Sequence, residues 1–303
     1  MSKSMAEPPY LKALEQVFKQ LDIEKADREH PIFKKTEDKE HYETRLMFAV
    51  RKRQAAKYHM DNMVESLARV AARAKEQAAA SKKKKLGPAA KFTMSATRPS
   101  NDCAHELVAF LAALRSGLDF LTMAASRSLP GTTAHSIHTL MKMAGKGQSA
   151  PVLAVVAKHL AWLTQLKDYR DEVVHRLVVQ QPVTGWKVSH NGKSSTAILP
   201  VVVPKSIPKL ILDTRRSRMM DAELPLGLDM YESTGAVTYA DGTEKIFEHT
   251  IRYSPADGYM PIDKFMRDHL KAYDAFLNDV FVVLAKPKFQ QPNMSAATQS
   301  KTK

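Results

Sequence analysis

Between residues 151 and 179 the sequence reads as one helix whose buried stripe is interrupted by charge. Leu153, Val156, Leu160, Leu163, Leu166, Val173, Val174 and Leu177 approximate the spacing of an apolar helical face. Late in that stripe stands Lys167-Asp168-Tyr169-Arg170-Asp171-Glu172-Val173-Val174-His175-Arg176. An arginine, two carboxylates and a histidine within a turn and a half are costly to bury. They must pair with one another or with a ligand. This stretch constrains the rest of the chain.

Helix geometry sorts its members. Asp171 and His175 are four residues apart, so they share a face and the carboxylate can accept the imidazole N–H. Glu172 and Arg176 have the same spacing, acid before base, as in a solvated pair. Arg170 and His175 are separated by about 7.5 Å along the axis and about 140° around it. They can flank one groove, and a phosphodiester could contact both. The plainer reading is a satisfied Asp171–His175 pair at a helix end with Arg170 on the surface.

Arg170-Asp171-Glu172-Val173-Val174-His175, following Trp162-Leu163 and Asp168-Tyr169 on a long helix, resembles the Arg-polar-x3-His signature of the HEPN superfamily. The similarity covers roughly residues 101–179 and a closing helix near 262–284. It implies a mainly α fold: a HEPN-like helical bundle that dimerises through the motif helix. It also implies, in many members, a ribonuclease that needs no metal or other cofactor. Other members bind without cutting.

Composition agrees with a polyanionic partner. The formal net charge is +14 over 303 residues, which favours nucleic acid, and RNA first among the candidates. With 44% apolar residues the chain can bury a core. Cys103 is the only cysteine, so an intramolecular disulfide and a cysteine-only metal site are excluded. No stretch approaches eighteen uninterrupted apolar residues, and the N-terminus carries no apolar signal core. The expectation is a soluble protein with no membrane partner, in the cytoplasm, with the nucleus as the alternative address.

Four regions are expected: an N-terminal helical extension over 1–80, a basic linker over 81–100, the bundle over 101–286 and a disordered tail over 287–303. In the extension, a short helix from Pro8 to Asp22 precedes a long one from Asp38 to Ala80. Leu46, Val50, Met60, Met63, Leu67, Val70 and Ala74 form an incomplete seam on the long helix, suited to packing on the body or on a partner helix. Arg51, Lys52, Arg53 and Lys57 form a basic cluster that is either a phosphate contact or a solvated face. In the linker, Lys82, Lys83, Lys84 and Lys85 are a candidate electrostatic hook for RNA or a nuclear address, against the plain alternative of a solubilising run.

Asn101-Asp102 reads as the cap of a helix reaching Ser126, whose acidic residues Glu106 and Asp119 are both candidates for the motif face. A shorter helix from Thr132 to Met143 carries His135 and His138. Their spacing would suit two metal ligands, but no Cys, Asp or Glu stands near enough to complete a site, so no metal is expected. Residues 183–253 change character to Val, Ile, Thr and Tyr. Asn191-Gly192 and Asp241-Gly242 there are hairpin signals. Trp186 to Ser189 would pair with Thr196 to Val203, and Ala236 to Ala240 with Thr243 to Ile251. Pro200, Pro204 and Pro208 confine any strand there to an edge. Arg215, Arg216 and Arg218 add a third basic cluster. This β-hairpin insertion precedes a final amphipathic helix from Ile262 to Ala285.

The resemblance implies a division of labour. RNA supplies its own nucleophile, the 2′-hydroxyl. His175, with an ordinary pKa near neutrality, would serve as general acid or base. Arg170 would hold the non-bridging phosphate oxygens and Asp171 would orient His175. Arg176 and the basic clusters at Lys82–Lys85 and at Arg215, Arg216 and Arg218 would track the RNA backbone. One copy supplies one histidine and a two-fold dimer supplies two. The expected function is a metal-independent endoribonuclease, of the toxin or antiviral kind, with a protein antitoxin or other regulator as a possible partner. The competing expectations are a catalytically silent HEPN-like protein that binds RNA or nucleotide, and an unrelated helical assembly protein.

Overall fold

Helix dominates the computed structural model, which describes residues 8–26, 36–82, 91–93, 102–129, 134–146, 150–175, 185–190, 193–198, 201–207, 228–238 and 244–286. Among them are seven α-helices: α1 (Pro9–Ala26), α2 (Thr36–Lys82), α3 (Asp102–Ala125), α4 (Ile137–Gly145), α5 (Pro151–Lys158), α6 (Leu160–His175) and α7 (Ile262–Leu284). Seven strands form three small antiparallel sheets. The strands are β1 (Lys91–Thr93), β2 (Gly185–His190), β3 (Lys193–Ile198), β4 (Val202–Pro204), β5 (Leu228–Thr238), β6 (Glu244–Pro255) and β7 (Tyr259–Pro261). The protein is mainly helical.

The chain divides into two compact units. The first comprises Met1–Arg51, Ser116–Ala161 and Lys271–Lys303; the second comprises Lys52–Arg115 and Trp162–Leu270. In the first unit, Tyr10, Leu14, Val17, Leu46, Leu118, Leu121, Val156, Phe276 and Phe281 are among the buried residues. Tyr273, also buried there, donates its hydroxyl to the Ala49 carbonyl at 3.1 Å, which satisfies a phenol that would otherwise be costly inside. Phe48 and Phe120 meet with ring centroids 5.1 Å apart. Arg127 pairs with Asp38 at 3.2 Å.

In the second unit α2 and α3 are joined by polar contacts. His59 donates to the Glu106 carboxylate at 2.7 Å, and the Asn62 amide donates to the same carboxylate at 3.2 Å. Glu106 is thereby committed to α2. Along α2 as a whole, whose first part to Arg51 belongs to the first unit, the buried positions Tyr42, Ala49, Ala56 and Met63 recur every seven residues, with Leu46 between the first two. Two alanines complete the seam. They lack the bulk that marks a seam in sequence.

Several expectations are corrected. Region 151–179 does not run as one helix: α5 ends at Lys158 and α6 starts at Leu160. At the break His159 has φ −100° and ψ 9°, away from the α-helical basin. The helix expected from Thr132 starts only at Ile137, because Ser136 is extended (φ −142°, ψ 149°). Ser136 makes no side-chain cap; the Ile137 N–H is instead received by the Asp119 carboxylate at 3.0 Å. The helix thus begins where a side chain from α3 can cap it. The expected linker also contributes structure. Lys82 is the last residue of α2, and Lys91–Thr93 forms β1 against Lys187–Ser189 of β2.

Both hairpins expected from their Asn-Gly and Asp-Gly signals are present. His190 pairs with Lys193, on either side of Asn191-Gly192, which lie outside the described residues. The return strand is Lys193–Ile198 and not Thr196 to Val203, its register set by Trp186 pairing with Ala197 and Val188 with Ser195. In the second hairpin the strands are longer than expected, β5 running from Leu228 and β6 to Pro255, with the register slipping by one residue at His249. Pro204 sits in the two-stranded β4–β7 sheet, where both strands are edges.

Among the described residues one helical stretch, Cys103–Ser128, is long and apolar enough to cross a membrane by length and composition. More than half of it is buried inside the protein, as in a core helix.

Candidate functional site

Three positions on α6 are one helical face: Trp162, Leu166 and Tyr169, at i, i+4 and i+7. Trp162 and Tyr169 meet the start of α7. Tyr169 and Phe265 have ring centroids 4.4 Å apart, and the Trp162 indole N–H donates to Nδ1 of His269 at 2.9 Å. Two other contacts tie this part of the second unit to the small β4–β7 sheet. The Gln165 side-chain amide donates to the Lys205 carbonyl. The Ile262 N–H donates to the Val201 carbonyl at 2.9 Å.

A turn closes that sheet. Lys205 N–H donates to the Gly258 carbonyl at 2.7 Å, and Tyr259 N–H donates to the Ala256 carbonyl at 2.9 Å. Gly258 has φ +81°, a conformation that favours glycine, and its N–H is held by the Asp257 carboxylate at 2.8 Å. Asp257-Gly258 is a third turn signal in the sequence, beside Asn191-Gly192 and Asp241-Gly242.

Arg170 and Asp171 follow Tyr169 and are carried round the helix by about 100° per residue, away from the buried face. Both are about one-third exposed. The Arg170 guanidinium donates to the Asp171 carboxylate at 3.3 Å. Lys167 lies 3.5 Å from Asp171, one turn away, and 3.5 Å from Asp168. The motif turn is therefore a small charge network in which Asp171 lies between two cations. The expected Asp171–His175 bond involves a side chain outside the described ones; the His175 backbone is the last residue of α6.

The other candidates distribute as follows. Arg176, Lys83, Lys84, Lys85, Arg215, Arg216 and Arg218 lie outside the described residues, and Lys82 is described only by its backbone. Of the basic cluster on α2, Arg51 lies over the Phe48 ring at 5.8 Å and Lys57 pairs with Asp61. Asp119 caps α4 and Glu106 binds His59 and Asn62, so both acidic residues of α3 have structural work. His135 is exposed and precedes α4, while His138 is on it, so the two do not share the helical spacing expected of them. Among the described residues no group of three or more His, Cys, Asp and Glu is placed to hold a metal.

Burial sets the electrostatics of the aromatic contact. His269 is 3% exposed, and burial lowers its pKa to about 4 against a smaller opposing effect of Asp268. The ring is neutral at neutral pH. Since an indole N–H can only donate, Nδ1 is the acceptor and the proton of the neutral ring is on Nε2. Tyr169 is 1% exposed; burial, and then Tyr259, push its phenol well above the ordinary range. Its hydroxyl has no hydrogen-bond partner among the described residues. Sequence reading used Trp162 and Tyr169 only as landmarks and missed His269. The available signal was a lone histidine on the apolar stripe of α7, between Phe265 and Tyr273.

In comparisons with protein-family models, curated proteins and solved structures, nothing matches this chain.

Proposed function

We propose that this chain is a metal-independent endoribonuclease with a HEPN-like helical bundle. The observation that carries the reading is the Arg170–Asp171 pair on a partly exposed turn of α6, one turn before His175 at the helix end. A guanidinium in that position can meet two phosphate oxygens at once with its planar fork. In this reading the 2′-hydroxyl attacks phosphorus and gives its proton to a base. The 5′-oxygen leaves with a proton from an acid. His175 performs one of these transfers, and His175 of a second copy performs the other across a dimer of motif helices. Products carry a 2′,3′-cyclic phosphate and a 5′-hydroxyl. The net charge of +14 supports an RNA partner. Arg176, Lys82–Lys85 and Arg215, Arg216 and Arg218 would follow its backbone. A toxin or antiviral effector of this kind would work under a protein antitoxin or another regulator.

One observation favours a second reading. Asp171 already lies between Lys167 and Arg170, an arrangement that satisfies the motif turn internally. A HEPN-like protein that binds RNA or nucleotide without cutting needs no more than this.

Incubation with a mixed RNA pool in EDTA, with end-group analysis, separates the two. Wild type, Arg170→Ala and His175→Ala are compared after each is shown to be folded with an unchanged oligomeric state. Cutting by wild type alone, with cyclic phosphate ends, is the expected result. Equal cutting by all three would overturn the assignment, and binding without cutting would select the silent reading.

A further inference from the structure

His269 is the imidazole in an aromatic cluster. Its ring centroid lies 4.2 Å from that of Phe265, 6.4 Å from Tyr169 and 6.5 Å from Trp162. A phenylalanine would fill such a place without the cost of desolvating two ring nitrogens. What the imidazole adds is direction. Ring contacts tolerate sliding and rotation, whereas an N–H···N bond of 2.9 Å fixes both the height and the rotation of the donor. Trp162 is that donor. The Tyr169–Phe265 contact, two turns further along α6, provides a second point on the same face.

We infer that His269 is a positioning residue for the motif turn: by accepting the Trp162 indole N–H it sets the register of α6 on α7, and so the direction in which Arg170 and Asp171 leave the helix. A rotation of α6 by one residue position would carry Tyr169 off Phe265 and bring Arg170 toward the buried face, a displacement of about 100°. The hydrogen bond opposes that slip, and burial keeps the ring in the neutral form that can accept it. A directional polar contact inside an otherwise apolar seam is a known means of specifying register. The consequence for RNA rests on the function proposed above; the register itself does not.

The test uses the full-length chain with Trp186→Phe, which leaves Trp162 as the single indole. His269→Phe removes the acceptor and keeps the bulk. His269→Asn restores an acceptor, the amide oxygen, at the distance of Nδ1. The readouts are exchange of the Trp162 indole N–H by nitrogen–proton NMR and the affinity for single-stranded RNA. His269→Phe should speed indole exchange and weaken RNA binding by about five- to ten-fold, the scale of one net hydrogen bond. His269→Asn should recover most of both. Unchanged exchange in His269→Phe, or equal losses in the Phe and Asn variants, would overturn the inference. Should His269→Phe fail to fold, Trp162→Phe removes the donor instead, and RNA affinity equal to that of the parent would overturn it. If no protein, the parent included, binds RNA, the functional reading fails while indole exchange still decides the register.

Discussion

His159 and Asp279 meet at 2.8 Å, with the imidazole Nε2–H donating to the carboxylate at the break between α5 and α6. Lys158 reaches the same carboxylate oxygen at 2.7 Å, and the His159 ring stands edge-on to Phe276. The position where the helix leaves regular geometry is thus one where a side chain of α7 receives two donors. Burial alone would raise the Asp279 pKa, but the hydrogen bonds from His159 and Lys158 outweigh it and hold the carboxyl below its ordinary value. Asp279→Ala should cost about 1 kcal/mol, the upper range for a partly exposed ion pair. Because the folded pKa is lowered, this contribution is present at neutral pH and fades as acid protonates the carboxyl. Urea denaturation at pH 7 and pH 3 measures both; an equal loss at the two pH values would contradict the pairing.

His269 adds a second loss of stability on acidification, one that begins near its ordinary value of 6.5. Its folded pKa of about 4 lies below that of the unfolded chain, so below pH 6.5 the unfolded state takes up the proton first. Stability therefore falls as pH drops from 6.5 to 4, by about 3 kcal/mol in all. Among the titratable groups near the ring, Tyr169 on α6 stays neutral throughout, and Asp268 on α7 opposes the shift. His269→Asn should abolish this component. Denaturant midpoints from pH 7.5 to 4.5 that run parallel in the two proteins would refute it.

Tyr169 offers a test with the reverse sign. Its hydroxyl is buried with no hydrogen-bond partner among the described residues, while its ring packs on Phe265. Tyr169→Phe keeps the ring and removes the desolvated oxygen, and should stabilise the protein by about 1 kcal/mol. The urea midpoint should rise with unchanged slope. A lower midpoint would mean that the hydroxyl has a partner.

Asp119 caps α4 from α3, and Ser136 at the cap position does not. Asp119→Ala should cost about 1 kcal/mol, as for loss of a helix cap, and should speed amide exchange at Ile137. Ser136→Ala should leave that exchange unchanged. The reverse pattern would restore the local cap.

These cases show which features local sequence carries. Helices α1, α2, α3 and α7 are legible because apolar spacing and caps act within a few residues. The two hairpin pairings are legible because the turn signals Asn191-Gly192 and Asp241-Gly242 stand between the paired strands in the sequence. The charged turn on α6 is visible as an interruption of an apolar stripe, and the structure brings Arg170, Asp171 and Lys167 together there. What local pattern cannot carry is the identity of distant partners. Asp119 and Glu106 look equivalent on α3, yet one caps α4 and the other holds His59 and Asn62.

By itself the amino-acid sequence determined a mainly helical, basic chain with hairpins before its last helix, because periodicity, turn chemistry and net charge are properties of neighbouring residues. Only the tertiary structure decided that the 151–179 segment breaks at His159, that α4 starts at Ile137, and that His269 is the acceptor for Trp162. Each of these depends on a hydrogen bond between residues 18 to 120 positions apart. Such bonds form where packing excludes water and leaves a donor facing an acceptor, and folding alone brings the two together.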